Sequence, residues 1–343
     1  MGNLLERALG RKPGQKPRRG GVIALWALLV LMLVWAAFHL RDIGWAFAEF
    51  GGYLQYKFIQ RALVVGTLVS LCASLLGVTL VLKRYSMIGD GLSHVGFGAL
   101  TVAMALGFVT AESLPAFLPA GLRRGVAALC GDIAASPLPF TLVVVVLCAF
   151  LLLRVSERSR MRGDSAIALI STSALAVGVI VTSMTSGMNV DVYNYMFGSI
   201  LAMSAGDVWL SAILSAVVLV LFVLFYPRIF AVTFDEAFAR ATGMKAGLFN
   251  MLIAVLTAVT VVIGMRMMGT LLISSLIIFP ALTSMRIFSN FRAVTVSSAL
   301  ISLGCFIIGM MLSCVYSIPT GAGIVGVNLL MFLIFSAIAS IRA

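Results

Sequence analysis

Residues Ala62 to Leu82 read ALVVGTLVSLCASLLGVTLVL, 21 positions without a single charge. A helix needs about 20 apolar residues to cross the hydrocarbon of a bilayer, so this stretch is read as a membrane-spanning helix. The basic pair Lys83-Arg84 closes it, and a second apolar run opens at Met87. Applied outward in both directions, the same template gives spans near 22–40, 62–82, 87–109, 139–154, 166–185, 208–226, 247–265, 269–285, 294–314 and 320–340. The pieces at 139–154 and 269–285 are short. Helices are the expected element because hydrocarbon offers no partner to an unpaired backbone group. The fold class expected is all-α, a polytopic membrane protein with about ten transmembrane helices.

Composition agrees with this reading. Apolar residues make up 62% of the 343 positions, charged residues 10%, and mean hydropathy is +1.13. A soluble domain carries about 25% charged residues, and no stretch between the runs is long enough to fold separately. The net charge of +12 is explained by where the cations lie. With a cytoplasmic N-terminus, 18 lysines and arginines fall on inner segments and 6 on outer ones. The positive-inside rule then puts both termini in the cytoplasm, and the charge implies no nucleic-acid partner. Residues 1–21 are basic and precede the run 22–40, which is longer than the h-region of a cleaved signal peptide. Residues 1–48 are therefore read as a basic tail with a retained signal-anchor helix. The cysteines at 72, 130, 148, 305 and 314 show no CxxC spacing, which argues against a disulfide framework or a cysteine metal site.

Ionisable residues inside apolar spans are candidates for function. The clearest group is Met87-Ile88-Gly89-Asp90-Gly91-Leu92-Ser93-His94. Asp90 and His94, four apart, share one helix face, and carboxylate with imidazole suits zinc, manganese or iron. The alternative is that Asp90 caps the helix and His94 is a hydrogen-bonded core residue, with Gly89 and Gly91 marking a break. His39 reads as an interfacial residue beside Arg41.

Three other features stand out. Phe234 to Lys245 is a polar segment of about three helical turns between two spans, with an acidic start at Asp235 and Glu236, small residues such as Ala237, Arg240 following, and Gly243 placed as a C-terminal stop. It reads either as an amphipathic connector or as a helix that docks in a soluble partner's groove. The stretch Leu271–Ser284 holds Pro280 among Ser274, Ser275, Thr283 and Ser284, a composition found in broken helices that line transport paths. Met265, Met267 and Met268 offer either soft-metal contact or packing. The outer stretch 187–207 is too polar to span and is read as dipping back into the membrane.

At these residues the chain resembles the permease subunits of ATP-binding-cassette importers for zinc and manganese. Gly89-Asp90-Gly91-Leu92-Ser93-His94 is similar to that family's G-D-[small]-L-[S/A]-H segment. Met196-Phe197-Gly198-Ser199-Ile200-Leu201 with Asp207 resembles its LFG-x-LL…D stretch, and Met268 to Ser274 through Pro280-Ala281 its VG-x-LLV…PA segment. The resemblance runs in order from about residue 50 to the C-terminus, so that 49–343 is identified as the permease domain.

The resemblance implies a dimeric pore in the cell membrane of a prokaryote, a cytoplasmic ATPase, and an extracytoplasmic metal-binding protein that delivers the ion. It implies that Asp90 and His94 face the path and bind the passing ion transiently, and that two copies supply a four-ligand set. Asp235–Gly243 would be the coupling helix on the ATPase, and Ser274 and Pro280 would line the path. No resident cofactor is expected, and ATP belongs to the partner, since the chain has no Walker A segment. The chain is then a transport subunit and not an enzyme. The N-terminal addition and the long outer segment 110–138 depart from the usual core. Rival readings are a siderophore- or cobalamin-type ABC permease, an ion-driven secondary carrier with Asp90 as proton relay, and an intramembrane enzyme.

Overall fold

In the computed structural model, residues 49–85, 87–110, 119–158, 163–185 and 205–342 are described, with a few isolated positions beside them. Lys57–Leu82 forms α1 and Ile88–Ala105 forms α2, which ends in a 3-10 turn at Leu106–Phe108. Then follow α3 (Ala120–Ala135), α4 (Pro137–Arg158), α5 (Gly163–Met184), α6 (Ala205–Leu224), α7 (Tyr226–Phe234) and α8 (Glu236–Ala241). The C-terminal half is completed by α9 (Ala246–Met268), α10 (Thr270–Ser284), α11 (Phe291–Tyr316) and α12 (Thr320–Arg342). Among the described residues all regular structure is helical.

Seven of these helices are long and apolar enough to cross a membrane, eight if the bent pair α3 and α4 is one span. The α10 helix is apolar but only 15 residues long. The expected span at 22–40 lies outside the described residues, as does the expected re-entrant stretch up to residue 204. Ten spans are thus not reached within what is described. The outer segment 110–138, expected as a connection, contains α3, which meets α4 at 89°. The corner is at Ser136, in a non-helical conformation (φ −135°, ψ 75°). Pro137 follows, and a proline disfavours helical backbone in the residue before it.

The α1 helix is the centre of the bundle, packed against α10, α11, α6 and α9. Of the spans, α1 and α9 are the most buried and α5 and α6 among the most peripheral. Hydrophobicity does not select the centre, because lipid tails are as apolar as leucine; small residues do, by letting backbones approach. At Gly77 a β-carbon would lie 2.0 Å from the carbonyl oxygen of Ile277, so only glycine allows α1 and α10 to touch there. Short polar side chains bond α1 to its other neighbours, α11 and α6. Ser302 Oγ donates to the Ser70 carbonyl at 3.1 Å, Ser298 Oγ to that of Ser74 at 3.4 Å, and Cys72 Sγ to that of Ser215 at 3.4 Å.

Candidate functional site

The turn between α1 and α2 delivers Asp90 and His94 to one face of α2. Met87 occupies the N-cap position and contributes no side-chain cap bond, while Asp90 sits in the first turn. Asp90 is therefore not the cap that its position beside two glycines allows. The helix runs unbroken through Gly89 and Gly91, whose missing side chains accommodate Ile277 and Ile167. A carboxylate in a first turn is favoured by the helix dipole. His94 Nε2 lies 3.6 Å from Asp90 Oδ2, and the two side chains are 24% and 44% exposed in the single chain. Ser274 joins them from α10: its Oγ donates to the Asp90 carboxylate at 3.4 Å and lies 2.9 Å from the Thr270 carbonyl.

Asp90 and His94, read from the sequence as one pair, and Ser274, read separately, thus converge on one open site. Pro280 does not join it. It is buried within α10, which continues through it to Ser284. The expected break is instead at Gly269, where φ 85° separates α9 from α10. A proline removes one backbone bond of the ladder, yet α10, packed along α1, continues past it. Met265, Met267 and Met268 are each 2% exposed and belong to the core. Among the described residues no group of three or more His, Cys, Asp or Glu side chains converges, so one chain offers two strong metal ligands at this place. His39 and Met196–Leu201 lie outside the described residues.

The second candidate segment is shorter than its sequence suggests. Asp235 leaves the helical region (φ −145°, ψ 89°), and its Oδ1 accepts from the Phe238 N–H at 2.8 Å, capping a helix of only six residues. The stop is at Gly243, whose φ of 82° is natural for glycine alone. The Gly243 N–H donates to the Arg240 carbonyl and the Met244 N–H to that of Ala239, both at 3.0 Å. Ala239 is buried, whereas Phe238 is 65% exposed. Arg240 Nη2 reaches Glu236 Oε1 at 2.5 Å. Burial alone would raise the Glu236 carboxyl. Hydrogen bonds from Asn250 and Arg240 and the charges of Lys83 and Arg240 outweigh it and hold Glu236 below the usual carboxylate range.

Two relationships were not apparent from the sequence. Lys83 bonds Asn250 of α9 and approaches Glu236 to 3.8 Å. The signal available was Asn250 itself, a lone amide in an apolar span. Likewise Arg266 in the last turn of α9 pairs with Asp207 in the first turn of α6 at 3.0 Å, each charge on the helix end that its dipole favours.

These features can be set beside known proteins. The model of the ABC 3 transport family matches residues 55–339. The chain is 30% identical over 297 residues to a probable metal transport system membrane protein of Thermotoga maritima, covering 86% of this chain and 95% of the relative. It is 26% identical over 283 residues to the manganese transport system membrane protein MntC of Halalkalibacterium halodurans, covering 82% and 88%. Among solved structures, PsaBC from Streptococcus pneumoniae in complex with Fab matches with a TM-score of 0.67 at 26% identity, covering 84% of this chain and 95% of that one. A matched family model over most of the length and the all-helical membrane fold agree: the chain belongs to the ABC 3 transport family, as a membrane-spanning permease subunit and not an enzyme.

Proposed function

We propose that this permease carries a divalent metal ion, manganese or zinc, across the cell membrane of a prokaryote, and that Asp90 and His94 bind the ion in passage. The observation that carries the reading is the half-exposed Asp90 carboxylate 3.6 Å from His94 on the open face of an apolar span. A charge left facing lipid is costly, and such residues face a cavity or a partner. A second copy placed against this face would cover it and contribute its own Asp and His, a set of four ligands suited to a borderline divalent ion. Relatives named for metal and manganese transport support the same substrate class.

The partners follow from the family. A cytoplasmic ATPase supplies the energy, seated on the segment that starts with Asp235, Glu236 and Ala237, and Phe238 and Arg240 present its exposed surface. An extracytoplasmic metal-binding protein delivers the ion. Both termini are cytoplasmic, and residues 1–48 are an addition to the permease core at 49–343. Ser274 orients Asp90, and Pro280 lies further along the same helix without touching the ion. Binding must stay modest in strength, since a tight site would retain its cargo.

The test is ATP-driven uptake of radioactive manganese and zinc into proteoliposomes holding the permease, its ATPase and its binding protein. Uptake lost in Asp90→Ala and His94→Ala, with the complex intact, supports the reading. Undiminished uptake in both removes the ion path from these residues, and uptake driven by a membrane potential without ATP would replace the importer by a secondary carrier.

A further inference from the structure

Lys83, Glu236 and Asn250 belong to three different elements and meet in one partly buried network. Lys83 is the C-cap residue of α1, Glu236 opens α8, and Asn250 lies early in α9. The Lys83 ammonium donates to Asn250 Oδ1 and stands 3.8 Å from Glu236 Oε2. Asn250, 6% exposed, donates from its amide to the same carboxylate. One asparagine thus holds a cation with one atom and an anion with the other. A polar network of this kind is strong when complete and costly when one member is removed.

The position of Lys83 gives the network a direction. It begins the turn that ends at Met87, and Asp90 lies in the first turn of the helix that follows. The turn is closed by the Arg84 N–H on the Val81 carbonyl at 3.1 Å and the Tyr85 N–H on that of Leu80 at 2.9 Å. Arg84 holds φ 61°, a left-handed conformation that is costly for a residue with a β-carbon. The Ile88 N–H on the Tyr85 carbonyl at 3.1 Å ties the start of α2 to the same turn, so α1 and α2 are joined through hydrogen-bonded backbone. Beside the network lies a pocket of about 290 Å³ lined by Lys83, Tyr85, Ile88, Glu236 and Asn250 among others, so the charged groups have room to shift without repacking the core.

We propose that Lys83, Asn250 and Glu236 form the tie through which movement of α8 is passed to the α1–α2 turn and so to Asp90 and His94. The three are positioning residues for transport and touch no ion. This deepens the reading of the chain as an ATP-driven metal importer and rests on it. Movement of α8 on its ATPase pulls on Glu236. Asn250 anchors the pair to the buried α9, and Lys83 carries the displacement across the turn to the open site.

The decisive experiment measures metal uptake and ATP hydrolysis in the same proteoliposomes, with manganese or zinc and the whole complex. The variants are Lys83→Met, Glu236→Gln, the conservative Lys83→Arg, and the exchange Lys83→Glu with Glu236→Lys. The tie predicts that Lys83→Met hydrolyses ATP within about twofold of wild type while ions moved per ATP fall about tenfold, within the ordinary span of coupling between two sites; Glu236→Gln, which lies on the ATPase seat, lowers the same ratio whatever its rate of hydrolysis. Lys83→Arg keeps most of the ratio, and the exchange recovers a substantial part of what either single change loses. An unchanged ratio in both single variants overturns the tie. If a single variant fails to assemble with the ATPase, the exchange decides: assembly restored with the ratio still low overturns the tie, and both restored supports it. A wild-type complex that moves no metal refutes the importer reading itself, a result distinct from any of these.

Discussion

Ser274 Oγ lies 3.4 Å from Asp90 Oδ1, joining residues 184 positions apart in the chain. The contact fixes the carboxylate from the α10 side while His94 lies on its other oxygen. Replacing Ser274 by alanine is expected to lower metal uptake by up to about tenfold, the range for one modest hydrogen bond. Asp90→Ala is expected to lower it by about a hundredfold or more, because the proposed ligand itself is lost. Initial uptake rates at matched reconstitution levels check both, and a Ser274→Ala protein as impaired as Asp90→Ala would show that the serine does more than orient.

Glu236 provides a pH signature. Its carboxyl is held below the ordinary glutamate value of 4.5, so its ion pairs stabilise the fold above that value and are lost as pH falls through the depressed one. Between pH 7 and 4, the melting temperature of wild type should fall more steeply than that of Glu236→Gln, with the difference appearing only below about pH 4.5. Parallel melting curves would remove Glu236 from the acid-sensitive groups.

The approach of α1 to α10 at Gly77 leaves no room for a methyl group, because the obstacle is the backbone oxygen of Ile277. Gly77→Ala should destabilise the detergent-solubilised protein by roughly 1–3 kcal/mol, the cost of forced overpacking. Gly304→Ala, where nothing stands within 4 Å, is the matched control and should melt near wild type.

Asp207 and Arg266 are partly buried partners at 3.0 Å. Removing either one takes an ion-pair partner from the other, and each single alanine variant should cost about 1–3 kcal/mol. The double variant should cost less than the sum of the two. A double-mutant cycle by thermal unfolding measures this, and strict additivity would mean that the pair contributes nothing.

Much of this protein was legible from residue order alone. Apolar runs without charges fixed helices at 62–82, 247–265 and 294–314, which correspond to α1, α9 and α11, because hydrocarbon permits little else. The four-residue spacing of Asp90 and His94 put them on one face for the same elementary reason, the period of the helix. Gly243 and Asp235 were readable as the ends of α8, although its length was overread by about half, since the polar pattern continues past both caps. The corner at Ser136 and the continuity of α10 through Pro280 were not readable.

What residue order could not contain is which helices touch. In a soluble protein an apolar stripe marks the buried face. Here all faces are apolar, so nothing local distinguishes lipid from neighbour, and α1 became central through close fit at sites such as Gly77. The same close packing decided the polar contacts between distant helices. Only the tertiary structure brought Ser274 to Asp90, Lys83 to Glu236 and Asn250, and Arg266 to Asp207. The sequence determined that the chain is a helical membrane protein with a carboxylate and an imidazole on one face; packing of nearly uniform helices decided what stands beside them.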